Sequence, residues 1–208
     1  MAADRNVHLP DIASYPWQRR KDYLMLVAAV AASDDELHPD ELSLLQRWIE
    51  QFRLSPKSRQ AVLEIAHRTP VSHAPVSRKP FAREPVARRL SKTDLKYSLM
   101  LDLMGMAMAD GVLMDKEISM LRGVAEVLDL DPIHFNIMIE FIHSAHQASQ
   151  LSSPEPLYEH NIESAFQLMR DKQVRLFRHT LLCVSNPAFD RQLKQRWTRF
   201  VTDGAHAG

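Results

Sequence analysis

Ala109-Asp110-Gly111-Val112-Leu113-Met114-Asp115-Lys116-Glu117 reads as the end of one helix, a sharp acidic turn and the start of the next. The same pattern stands earlier, at Ser33-Asp34-Asp35-Glu36-Leu37-His38-Pro39-Asp40-Glu41. The offset is 76 residues, and it carries Leu45 onto Leu121, Leu54 onto Leu130, Pro56 onto Pro132 and His67 onto His143. No gap is needed from about Leu26 to His67. This self-similarity reads as an internal duplication of a three-helix unit. The expected fold is therefore all-α: two duplicated three-helix units packed as a helical bundle, plus a C-terminal helical extension.

The chain has 208 residues, five glycines and 45% hydrophobic residues, the composition of a globular helical protein. Its formal charge is zero but unevenly spread. Residues 1–67 carry −2, 68–92 carry +6, 93–165 carry −9 and 166–208 carry +5. An acidic body with two basic segments favours self-association or an acidic protein partner over nucleic acid. The single cysteine, Cys183, excludes an intrachain disulfide and fits a reducing compartment. It lies in the apolar run Leu181-Leu182-Cys183-Val184 and reads as a buried small hydrophobe. The N-terminus has no apolar core of a signal peptide, and no segment approaches the roughly 20 apolar residues of a membrane span. The expected location is the cytoplasm, with peripheral attachment at the inner membrane as an option.

Taken in order, residues 1–20 read as an irregular arm, with Tyr15 and Trp17 tucked onto the body. Residues 21–68 form the first repeat. Tyr23, Val27 and Val30 make the stripe of its first helix. Pro39 opens the second, and Leu42, Leu45, Trp48, Ile49 and Phe52 give that helix its face. Pro56 opens the third. Residues 69–91 contain Pro70, Pro75, Pro80 and Pro85 at a spacing of five, which reads as extended, semi-rigid linker. Arg78, Lys79, Arg83, Arg88 and Arg89 make this linker a candidate arm for an acidic protein face or anionic headgroups. Residues 92–149 form the second repeat, whose methionines read as core filler. Residues 150–202 form the extension: one long or two shorter helices to Val184, a break at Asn186-Pro187, then a basic amphipathic helix to about Val201 bearing Trp197 and Phe200. Residues 203–208 read as a disordered tail.

The acidic turn carries the chemistry. Asp34 and Asp110 each end a helix on its apolar stripe, where the dipole and desolvation both disfavour a charge. One remedy is structural: backbone N–H groups satisfy the carboxylates, and Glu41 and Glu117 at the third helical position fold back onto their caps. Gly111 supplies the left-handed conformation of the turn. The other remedy is a divalent cation, with Asp110, Asp115 and Glu117 in one copy and Asp34, Glu36, Asp40 and Glu41 in the other offering oxygens. Such a donor set suits calcium or magnesium ahead of zinc.

Ala-Asp-Gly-x-Leu-x-x-x-Glu between two amphipathic helices resembles the TerB family of tellurite-resistance operons, and the N-terminal part of a membrane-anchored DnaJ-like co-chaperone. Residues 95–146 match best. In the first copy Asp35 stands for the glycine and Ser33 for the alanine. The resemblance implies an all-helical fold with a pseudo-twofold and a non-enzymatic scaffold of a stress-response assembly. It also implies divalent metal on Asp34, Glu41, Asp110 and Glu117. Two alternatives stand beside it. One is a purely structural adaptor without metal. The other is a di-metal carboxylate enzyme built on Glu64-x-x-His67 and Glu140-x-x-His143 with Glu50 and Glu126. Helical geometry places Glu140 opposite the apolar stripe of its helix, which argues against the enzyme. No phosphate loop, nucleophile–base pair or CxxC is present.

Overall fold

The structure, a computed structural model, describes residues 9–32, 39–66, 84–109, 111–153 and 155–204. Among these residues every regular element is helical. The order is α1 (Trp17–Ala31), α2 (Pro39–Gln51), α3 (Pro56–Ala66), α4 (Glu84–Ser91), α5 (Lys96–Ala107), α6 (Asp115–Val127), α7 (Pro132–Gln150), α8 (Pro156–Asp171) and α9 (Pro187–Gly204). The all-α expectation is met. The 76-residue offset carries the bounds of α2 onto those of α6, and the start of α3 onto the start of α7. It also carries Arg53 onto Asp129, and both have positive φ where α2 and α6 end. Leu130 N–H reaches back to Ala125 O and Asp129 N–H to Glu126 O, a left-handed helix stop.

α1 and α5 lie at the centre. α1 packs on α2, α3, α4 and α5, while α5 also meets α6 and α7. Their sequences explain this position. Leu24, Leu26, Val27, Ala28 and Val30 are buried on α1, and every residue from Ser98 to Ala107 is buried on α5. A helix apolar on all sides belongs inside. The single stripe expected from the sequence understates both. Of the methionines, Met100, Met104, Met106, Met108 and Met138 are core, but Met114 is exposed.

Four expectations are corrected. Residues 84–91 are helix α4, not extended linker. Pro85 sits in the first turn, where its missing N–H costs nothing, and Val86, Ala87 and Leu90 bury against α1 and α6. The rest of the proline repeat lies outside the described residues. Trp17 does not tuck in: it opens α1 and is exposed, while Tyr15 is buried. α8 does not continue to Val184. Gln173 takes positive φ, and Val174 N–H closes onto Met169 O. Residues 172–186 then run as an irregular strap through the core before α9. Helix α9 extends to Gly204, so only 205–208 of the expected tail lie outside the described residues.

The strap is held at many points. Arg175 O accepts from Ser98 Oγ at 2.5 Å and His179 O accepts from Trp48 Nε1 at 3.1 Å. Leu182 N–H donates to Asp190 Oδ1 at 2.7 Å. Gly105 lets it approach: a Cβ there would stand 3.1 Å from Leu181 O. Leu176, Phe177, Leu182 and Cys183 are buried, so Cys183 packs as the small hydrophobe expected. α8 lies along α7, and α9 closes on α8 through Phe166, Trp197 and Phe200, with Arg170 over the Phe200 ring at 4.7 Å.

Candidate functional site

The turn after α5 follows from its residues. Met108 N–H bonds Met104 O, Gly111 N–H bonds Met108 O, and Gly111 has φ +89°. An L side chain is strained there, which accounts for the glycine. Met114, extended, precedes α6, and Glu117 Oε2 accepts its N–H at 2.7 Å. Glu117 is buried and serves the fold-back role expected for it. Asp115, in the first turn of α6, is exposed, which suits a carboxylate at the positive end of the helix dipole. Glu41, in the first turn of α2, is half-buried. Asp34 and Asp110 lie outside the described residues.

His146 closes the turn from the other side. A Cβ on Gly111 would lie 3.4 Å from its Cε1. Its Nδ1 is 2.9 Å from Ser185 Oγ, which is 3.6 Å from Cys183 Sγ. The sequence offered no signal for this histidine, since α7 brings it to the turn from 35 residues downstream of Gly111. Among the described residues, no three His, Cys, Asp or Glu side chains gather into a group that could hold a metal ion. Glu50, Glu64, Glu126, Glu140 and His143 are all exposed, so the carboxylates of the di-metal alternative do not converge in the core. His67 lies outside the described residues.

Of the candidate partner-binding cations, Arg78, Lys79 and Arg83 lie outside the described residues. Arg88 and Arg89 project from α4, half a turn after its buried Val86-Ala87 pair. Arg89 is committed within the chain. Its Nε and one terminal nitrogen each bond a different oxygen of Asp22 at 2.9 Å, and that hydrogen-bonded pair raises its already high pKa. Asp22 is buried on α1 and would otherwise be an isolated interior charge. Arg88 and Lys92 are exposed. With Glu126 and Asp129 of the opposite wall they line a cleft of about 760 Å³ between α4 and α6. Lys92 was not foreseen, because the linker was read as ending before it.

The most buried polar cluster was invisible in the sequence. Asp102 Oδ2 accepts from Tyr23 Oη at 2.5 Å and pairs with His179 Nε2 at 2.7 Å. All three side chains are inside, and Phe52, Phe177, Trp48 and Tyr23 ring the imidazole at centroid distances of 4.7–6.0 Å. Burial, then the Asp102 charge, pushes the Tyr23 phenol well above its ordinary value. Asp102 Oδ1 and His179 Nδ1 are buried without a partner.

The family model for tellurite resistance protein TerB matches residues 20–139. The chain belongs to the TerB family. The match runs from α1 into α7 and spans both acidic turns. It leaves the strap, α8 and α9 outside. No curated protein matches the chain, and no solved structure does. Among the described residues of this TerB-family protein, no helix is long and apolar enough to cross a membrane.

Proposed function

We propose that this TerB-family protein is a non-enzymatic interaction scaffold that docks an acidic segment of a protein partner along α4. The cleft between α4 and α6 carries the reading. Its α4 wall presents Arg88 and Lys92 at the end of the stretch 68–92, whose net charge is +6. The facing wall, Glu126 and Asp129, opposes a nucleic-acid backbone, which would have to pass both carboxylates. A short acidic segment can lie on the basic wall alone. The family's name, tellurite resistance, suits a stress-response role, and we place the scaffold in the cytoplasm or at the inner membrane face as part of this proposal. The test is a photo-crosslinking residue placed at Lys92 in cells, with Gln192 on α9 as control. One adduct specific to Lys92, lost on R88E, supports docking; no adduct, or the same adducts at both sites, overturns it.

A second reading adds a divalent cation at the acidic turns, of calcium or magnesium type. The exposed Asp115 carboxylate, four residues after the left-handed Gly111, favours it. The bond from Met114 N–H to Glu117 favours the opposing view, that the turn is a helix cap alone. Calorimetric titration of chelator-treated protein with calcium, magnesium, manganese and zinc separates the two. Saturable binding that disappears in D110A/E117A with helicity retained supports the cation, and an unchanged affinity in that variant excludes the turn.

A further inference from the structure

We infer that the cleft between the N-terminal arm, the end of α2 and the strap is a binding site for a phosphate group. It is lined by Asp11, Ile12, Gln51, Arg53, Arg178 and His179 and has a volume of about 290 Å³. That is at the small end of ligand sites, which run from roughly 300 Å³ upward, and it admits a small anion better than a peptide. The cleft shares no lining residue with the one between α4 and α6.

Its charge is cationic and underused. Arg178 is exposed, and its side chain has no ion-pair or hydrogen-bond partner among the described residues, while its backbone N–H ties the strap to Pro10 O at 3.1 Å. Arg53 takes a left-handed conformation at the end of α2 (φ 47°), which turns it toward the arm. Its guanidinium meets Asp11 at 3.2 Å, in a pair whose arginine is 72% exposed. Such a pair is worth about 0–1 kcal/mol, so an arriving anion displaces Asp11 at small cost. Behind Arg53 stands Arg20, which donates to Phe52 O and Arg53 O and keeps a buried Nε with no partner.

Once Asp11 is displaced, the two guanidiniums of the lining, Arg53 and Arg178, offer two positive charges to an anion. That matches a phosphate group, which carries about −1.5 to −2 at neutral pH, better than a single carboxylate. Guanidinium forks suit its tetrahedral oxygens, and Gln51 offers an amide N–H beside them. His179 supplies the second observation. It lines the cleft, its Nε2 is held by Asp102, and its buried Nδ1 is unpartnered.

The test titrates the full chain with inorganic phosphate at constant ionic strength, sodium chloride being the control. A parallel arm sediments the protein with phosphatidylglycerol/phosphatidylcholine vesicles. Saturable one-to-one phosphate binding, weakened about tenfold or more by R178Q and tightened up to about fivefold by D11N, supports a free phosphate compound. D11N keeps the side-chain oxygen that caps the Ile12–Ser14 turn, so its fold is retained. Vesicle binding that requires Arg178, without binding of free phosphate, assigns a lipid headgroup instead. Phosphate-induced shifts of the His179 ring resonances are expected, and their absence in a saturated sample removes His179 from the site. Absence of binding in both arms, or affinity unchanged in R178Q/R53Q, overturns the proposal.

Discussion

Asp102 and His179 meet at 2.7 Å across 77 residues of chain, and both side chains are buried. A buried carboxylate–imidazole contact contributes less than its strength in isolation suggests, because both groups have lost water. Breaking one side is costly, since the other then loses a buried partner. H179F, which fills the aromatic surround but leaves Asp102 with only Tyr23 Oη, should destabilise the protein by about 1–3 kcal/mol. The double variant H179F/D102L should recover part of that loss. Urea denaturation of both single variants and the double variant gives the coupling energy; additive losses would show that the pair does not act as a unit.

The acidic turn yields a prediction that separates capping from charge. In chelator-treated protein, E117Q should lie within about 0.5 kcal/mol of the parent, because an amide oxygen still accepts the Met114 N–H. E117A should cost about 0.5–2 kcal/mol. Denaturation midpoints decide it. An E117Q loss as large as that of E117A would mean that the carboxylate charge itself holds the turn.

Arg89 and Lys92 sit on the same short stretch and should behave oppositely. R89A leaves the buried Asp22 carboxylate with only Gln18 Nε2, 3.2 Å from its Oδ1, and should cost about 1–3 kcal/mol. K92A should change stability by no more than about 0.5 kcal/mol. Thermal unfolding of the two variants side by side checks the contrast.

His134 gives a pH dependence. Its ring is 2.8 Å from Tyr97 Oη, and burial, reinforced by Lys172, lowers its pKa below the ordinary 6.5. The unfolded chain therefore binds a proton at a higher pH than the folded one does. The contribution of His134 to stability is complete above about pH 6.5. It declines as pH falls from there through the folded pKa, and then levels off. H134N should remove that slope, seen as a flatter difference in Tm between pH 7 and pH 5. An identical slope in parent and variant would refute it.

Much of the fold was legible because helix punctuation is local. Pro39, Pro56 and Pro132 open helices, and Gly111 marks a turn by its conformation alone. The 76-residue repeat located α2, α3, α6 and α7. Helix α4 was hidden because a regular proline spacing outweighed the short Val86-Ala87-Leu90 face after Pro85. The strap was hidden for a different reason. Leu181-Leu182-Cys183-Val184 is apolar in either a buried helix or a buried irregular segment, and periodicity cannot separate the two. The cap made by Glu117 was legible because a capping box is a four-residue signal. His146 and His179 were missed because their neighbours come from other helices.

The strap also sets an order of events during synthesis. Trp48 Nε1 finds its acceptor 131 residues later, at His179 O, and Tyr23 and Asp102 share their cluster with the same residue. The central helices α1 and α5 will have left the ribosome well before this closing piece does. The nascent chain therefore holds an unfinished aromatic core through more than a third of its translation, in need of a chaperone or of speed. Its folding rate should track these distant contacts rather than the fast-forming helices.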